Sequence, residues 1–119
     1  MPWLLRDAKV LATVEIAEDV RSRSLGLLGR PGLEGALLLR PAMAVHSLGM
    51  KFPIDVAFCD RELVVLRTIH LAPHRLTKPM FKARVVIEAE AGAFERWNLE
   101  PGDHLEVRLE NGDHALPDE

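Results

Sequence analysis

A chain of 119 residues and 13.3 kDa has the length for one hydrophobic core and not for two; 48% apolar and 28% charged residues, with no low-complexity tract, exclude a disordered polypeptide. A formal charge of −3 and a pI near 5.9 lack the concentrated basic footprint of a nucleic-acid domain. The single cysteine, Cys59, excludes an intrachain disulfide, and no apolar run approaches a membrane span.

The N-terminal Met-Pro-Trp-Leu-Leu-Arg lacks the basic segment, long apolar run and cleavage site of a secretory signal, so the expected compartment is the cytoplasm, with no membrane or nucleic-acid partner. An exposed apolar patch around Trp3, Leu4 and Leu5 would favour a protein-interaction role. Lys9 to Ala17 alternates, with Val10, Ala12, Val14 and Ile16 on one face, and predicts a half-buried strand.

Asp19 can cap a helix over Val20 to Leu28, with Gly29 and Pro31 as its stop. On it Arg21, Arg23 and Arg30 cluster. The plainer reading of these arginines is a solvated face, and the sharper one, with Arg40, an anion patch.

Gly35 to Arg40 and Ala42 to His46 read as short strands broken at Pro41, which cannot donate to a ladder. Ile54 to Cys59 and Leu63 to His70 flank the polar turn Asp60-Arg61-Glu62 and form the clearest hairpin. Pro73 to Pro79 is a connector, and Arg84 to Glu90 a strand. Gly92 to Trp97 can form one helical turn. Pro101-Gly102 has the residues of a type II turn before a final strand in which Leu105, Val107 and Leu109 alternate with charged residues. The elements predict one α+β domain over residues 1–119, ordered from about 9 to 110 with a fraying tail. Its sheet is mostly antiparallel, small, partly open and barrel-like, with one main helix.

Candidate chemistry concentrates between His46 and Asp60. Ile54, Val56 and Phe58 share one strand face, leaving Asp55 beside Ala57 and Cys59 on the other. A carboxylate in such a run requires a partner, expected from amides of the preceding loop or from Arg23 or Arg30. The loop joins His46, Gly49, Met50 and Pro53, a mixture of polar and apolar groups suited to a pocket wall. The plainer reading makes Gly49 and Pro53 shape a tight connection while Met50 plugs the core.

His46, His70 and His74 do not show metal-ligand spacing, because Pro73 separates the last two from a shared helix face, so no metal or cofactor is expected. Cys59 in an apolar strand reads as core filling. There is no phosphate-binding loop, dinucleotide fingerprint or nucleophile elbow.

The segments Arg23 to Arg30, Met50 to Phe58, Val86 to Gly92 and Pro101 to Asp103 occur in the order and rough spacing of an uncharacterised family, domain of unknown function 192, which the chain resembles from about Ala12 to Leu109. The resemblance implies a compact β-rich domain of bacteria and archaea and implies no activity. Met50, Ile54 and Asp55 match its pattern; Gly49 stands where many members carry Trp.

The favoured expectation is a binding module for a small polar or anionic ligand, with His46, Met50, Asp55, Arg23 and Arg30 as its site. The alternatives are a hydrolase-like enzyme using His46 and Asp55 as an acid/base pair, and a protein-interaction domain using the Trp3–Leu5 patch. Whether the chain is an enzyme stays open at this level.

Overall fold

The computed structural model describes residues 2–18 and 32–109. Seven strands, β1 (Trp3–Arg6), β2 (Lys9–Ala17), β3 (Ala36–Leu39), β4 (Ile54–Cys59), β5 (Val65–Leu71), β6 (Val85–Glu90) and β7 (Leu105–Arg108), accompany one short helix, α1 (Ala93–Arg96). They form a single sheet in the order β5-β4-β6-β3-β2-β1-β7. All pairings are antiparallel except β2 with β3, so the sheet is mixed.

The sheet is not closed, which corrects the barrel expectation to a loose likeness. Its outer strands meet at one end, where Val64 bridges His104, the amide of Leu105 donates to the carbonyl of Leu63, the amide of Val65 donates to the carbonyl of Asp103 and that of Gly102 to the carbonyl of Val65. The helix expected over Val20 to Leu28, with its arginines, and the tail from Asn111 lie outside the described residues.

Strands β3, β4 and β6 are covered on both faces, which is why they read as nearly unbroken apolar runs rather than alternating ones. One core layer gathers Leu38, Ala57, Cys59, Val65, Ile87 and Ala89 with Phe94 and Leu99. The opposite layer packs Leu37, Ile54, Val56, Phe58 and Val86 against Val45, Met50 and Phe52 of the connecting segment. Glu88 projects into this second layer, fully buried between Leu37 and Val56 and engaged in a polar interaction.

Two expectations need correction. Leu4 and Leu5 are buried, not an exposed patch, because β1 inserts between β2 and β7. Ala42 to His46 is not a strand: His46 makes a single bridge to Leu76, and the rest of this ladder is held by isolated bonds such as Thr77 N–H to the Val45 carbonyl. The Pro101-Gly102 turn forms as expected, with Gly102 at φ +96° and the Asp103 amide bonded to the Glu100 carbonyl.

Candidate functional site

Asp55 lies on β4 between Ala89 of β6 and His70 of β5. The small methyl of Ala89 leaves room above the sheet, and the chain leaving β6 turns into that space as α1. Gly92, the residue at the helix N-cap, has φ +95° and no side chain with which to cap. Asp55 supplies the missing acceptor: its Oδ2 receives the amide of Gly92 at 2.9 Å and that of Phe94 at 3.1 Å. A carboxylate from a distant strand thus performs the capping that Ser, Asp or Asn ordinarily provides from within. The amides come from the turn after β6 rather than from the loop before β4, which corrects the expected partner.

The second oxygen, Oδ1, lies 3.4 Å from His70 Nδ1. Asp55 is buried while the His70 side chain is 60% exposed, so the carboxylate sits beside an imidazole that is largely open to solvent. Thr68, two residues before His70, shares this face of β5. Together with Gly92, Glu95 and Leu99 these residues line an open cleft of about 410 Å³. The described lining carries two carboxylates and one imidazole, and no Lys or Arg.

The other expected residues lie elsewhere. Met50 is buried in the core layer on the opposite face of the sheet from Asp55. His46 makes no hydrogen bond with Asp55; its Nδ1 accepts the amide of Leu48 at 3.2 Å, and His74 Nδ1 accepts that of Gly49 at 3.3 Å. Arg23 and Arg30 lie outside the described residues. Cys59 is buried, and burial together with the Asp60 charge pushes its thiol up to about 12, fitting core filling rather than nucleophilic chemistry.

Sequence reasoning passed over Ser47. It is fully buried, and its hydroxyl donates to the Ala72 carbonyl at 2.6 Å and accepts the Arg75 amide at 2.9 Å. Its backbone exchanges further bonds with Arg75 and His74. One serine therefore fastens the loop after His46 to the connector after β5. Among the described residues no group of three His, Cys, Asp or Glu side chains is placed to hold a metal ion.

A mixed seven-stranded sheet of this order, with a strand Asp holding a helical turn at its Gly, describes a small mixed-sheet domain, and comparison with known proteins gives its family. The model of family DUF192, described as Uncharacterized ACR, matches residues 4–107, and the chain belongs to that family. A UPF0127 protein of Thermococcus sibiricus is 29% identical over 110 residues, covering 87% of this chain and 71% of the relative. A UPF0127 protein of Pyrococcus horikoshii is 30% identical over 97 residues, covering 77% and 84%.

Two crystal structures share the fold. A candidate transcription regulator from Sinorhizobium meliloti 1021 superimposes with a TM-score of 0.74 at 22% identity, covering 89% of this chain and 91% of the other. A protein of unknown function from Novosphingobium aromaticivorans gives 0.72 at 19% identity, covering 88% and 82%.

Proposed function

We propose that this domain is a binding module for a small polar ligand and that the ligand sits in the Asp55–His70 cleft. The observation that carries the reading is the arrangement of Asp55: one oxygen is consumed by two backbone amides and the other aims an exposed imidazole. That is a preorganised polar group at the floor of a concave site, with Thr68 and Glu95 as further hydrogen-bonding groups and Leu99 as apolar lining. The two carboxylates favour a hydroxylated or amine-bearing ligand over an anion. Arg23 and Arg30, the expected anion partners, lie outside the described residues.

A second reading is favoured by the same pair. An imidazole oriented by a buried carboxylate can act as a general base, so a hydrolase-like activity would use His70 in the place first expected of His46.

The test is screening of small polyols and amines by NMR on isotope-labelled protein. Shifts should cluster on Asp55, Thr68, His70 and Gly92, and His70→Ala should abolish them while leaving the thermal midpoint unchanged. Reproducible hits confined to His46–Pro53 would move the site to that loop and overturn the proposal.

A further inference from the structure

The net charge of −3 conceals a strong segregation. From Pro41 to Ile54 and from Val64 to Ile87 the chain contains no Asp or Glu, yet it carries Lys51, Arg67, Arg75, Lys78, Lys82 and Arg84. All six are exposed, and none faces a carboxylate among the described residues. Among the described residues the guanidinium groups of Arg75 and Arg84 bond to backbone carbonyls of their own turns and to no carboxylate. By contrast Arg6, Arg40, Arg96 and Arg108 each meet an acidic side chain.

The same ladder carries most of the apolar exposure. Phe81 is 74% exposed, Leu76 70%, Leu48 48% and Met43 41%; the remaining large exposed hydrophobics among the described residues are Val10 and Leu109. Backbone pairing sets the segments of the first four side by side: His46 bridges Leu76, and the Met80 amide bonds to the Met43 carbonyl. Phe81 and Lys82 sit at the tip of a tight turn closed by the Ala83 amide on the Met80 carbonyl. Leu76 thus lies between Arg75 and Lys78 in the chain, and Phe81 directly precedes Lys82.

We propose that this face is an interaction surface for an anionic lipid bilayer, with Phe81 and Leu76 entering the headgroup region and the flanking lysines and arginines meeting lipid phosphates. Charge complementarity selects the partner's sign: exposed cations that meet no carboxylate among the described residues attract a negative surface by their summed field. The apolar groups select the class. Exposed Phe, Leu and Met gain by leaving water for the acyl boundary, as on interfacial elements that pair aromatic or aliphatic side chains with Lys and Arg. A nucleic acid offers no such apolar phase, and its bases stack on aromatic side chains, of which this face exposes Phe81 alone. The binding is peripheral: no helix among the described residues is long and apolar enough to span a membrane.

The experiment is sedimentation of the full chain with vesicles of equimolar phosphatidylcholine and phosphatidylserine, against phosphatidylcholine alone, at two salt concentrations. Binding is expected only with phosphatidylserine and is expected to weaken as salt rises. Lys78→Ala and Lys82→Ala should each reduce partitioning about fivefold, and together about 25-fold. Phe81→Ala should reduce it at both salt concentrations alike, because its contribution is apolar. All these side chains are exposed, so an unchanged thermal midpoint certifies the variants. Absence of binding to the anionic vesicles overturns the proposal, as does binding that none of the variants weakens. So does a titration in which duplex or single-stranded DNA competes the protein off the vesicles and loses affinity with the same lysine variants.

Discussion

Asp55 joins two parts of the chain that are far apart in sequence, and its replacement shows how much of the fold depends on that joint. Asp55→Ala leaves the amides of Gly92 and Phe94 without acceptors in a buried setting and is expected to cost about 1–3 kcal/mol in urea denaturation. His70→Ala should cost far less, since the ring is mostly exposed and its bond is long. Cys59 allows a pH prediction. Its ordinary value of 9.0 in an unfolded chain rises to about 12 in the fold, so between those limits the folded state keeps a proton that the unfolded state releases. Its contribution is fully present below pH 9 and is lost as pH rises toward 12. Wild type should therefore lose stability in alkali more steeply than Cys59→Ala, and its thiol should resist alkylation until the protein is unfolded. Equal alkaline slopes would contradict the buried-thiol account.

A four-residue helix has no stability of its own, and α1 is held at both ends by other elements. Asp55 of β4 accepts at its N-terminus, while the guanidinium of Arg6 on β1 donates to the carbonyls of Trp97 and Asn98 just past its C-terminus and pairs with Asp103 at 3.0 Å. Phe94 and Trp97, with ring centroids 5.6 Å apart, pack the turn onto the sheet. Two glycines separate conformational from steric demands. At Gly92, φ +95°, an added Cβ meets Arg96 only at 3.5 Å, so Gly92→Ala should cost about 1 kcal/mol through backbone strain. At Gly35, φ +69°, a Cβ would stand 2.5 Å from Thr13 Oγ1 and 2.8 Å from its carbonyl oxygen, where β3 begins its parallel pairing with β2. Gly35→Ala should be much the worse in thermal denaturation. Equal midpoints would show that the sheet yields there.

Strand identity was legible over most of the chain because alternation and turn residues agree: β2 and β4 fall on the expected residues, and β6, α1 and β7 fall within a residue or two. Register was not legible, and register decides the site. From Cys59 opposite Val65, uninterrupted pairing would set Ile69 across from Asp55. A bulge between Phe58 and Cys59 adds one residue to β5, so that His70 faces Asp55 and Thr68 faces Ala57. Nothing in the composition of Val64 to Arg67 announces that extra residue. The N-terminal strand escaped notice because four residues are too few to show a period, and its apolar Leu4 and Leu5 look the same buried or exposed.

For the molecule as a whole, two core layers on either side of one sheet provide the stability, and the expected independence from metal follows from them. A chelator should leave the thermal midpoint unchanged; a drop restored by zinc would contradict this, because among the described residues no three ligands converge. The charge distribution is uneven: Arg75, Lys78, Lys82 and Arg84 meet no carboxylate among the described residues, whereas Arg6, Arg96 and Arg108 each pair with one. Average net charge therefore conveys little about the partners of a domain this small. At this scale the proposed site rests on the meeting of the Met50 to Phe58 and Val86 to Gly92 segments at a single carboxylate beside the cleft. The most direct measurement of that meeting is hydrogen exchange of the Gly92 and Phe94 amides, followed by NMR in the wild type and in folded Asp55→Ala. Both amides should be protected in the wild type and should lose that protection in the variant, while amides in the middle of β6 keep theirs. Protection at Gly92 and Phe94 that is unchanged by the substitution would show that Asp55 does not hold the turn.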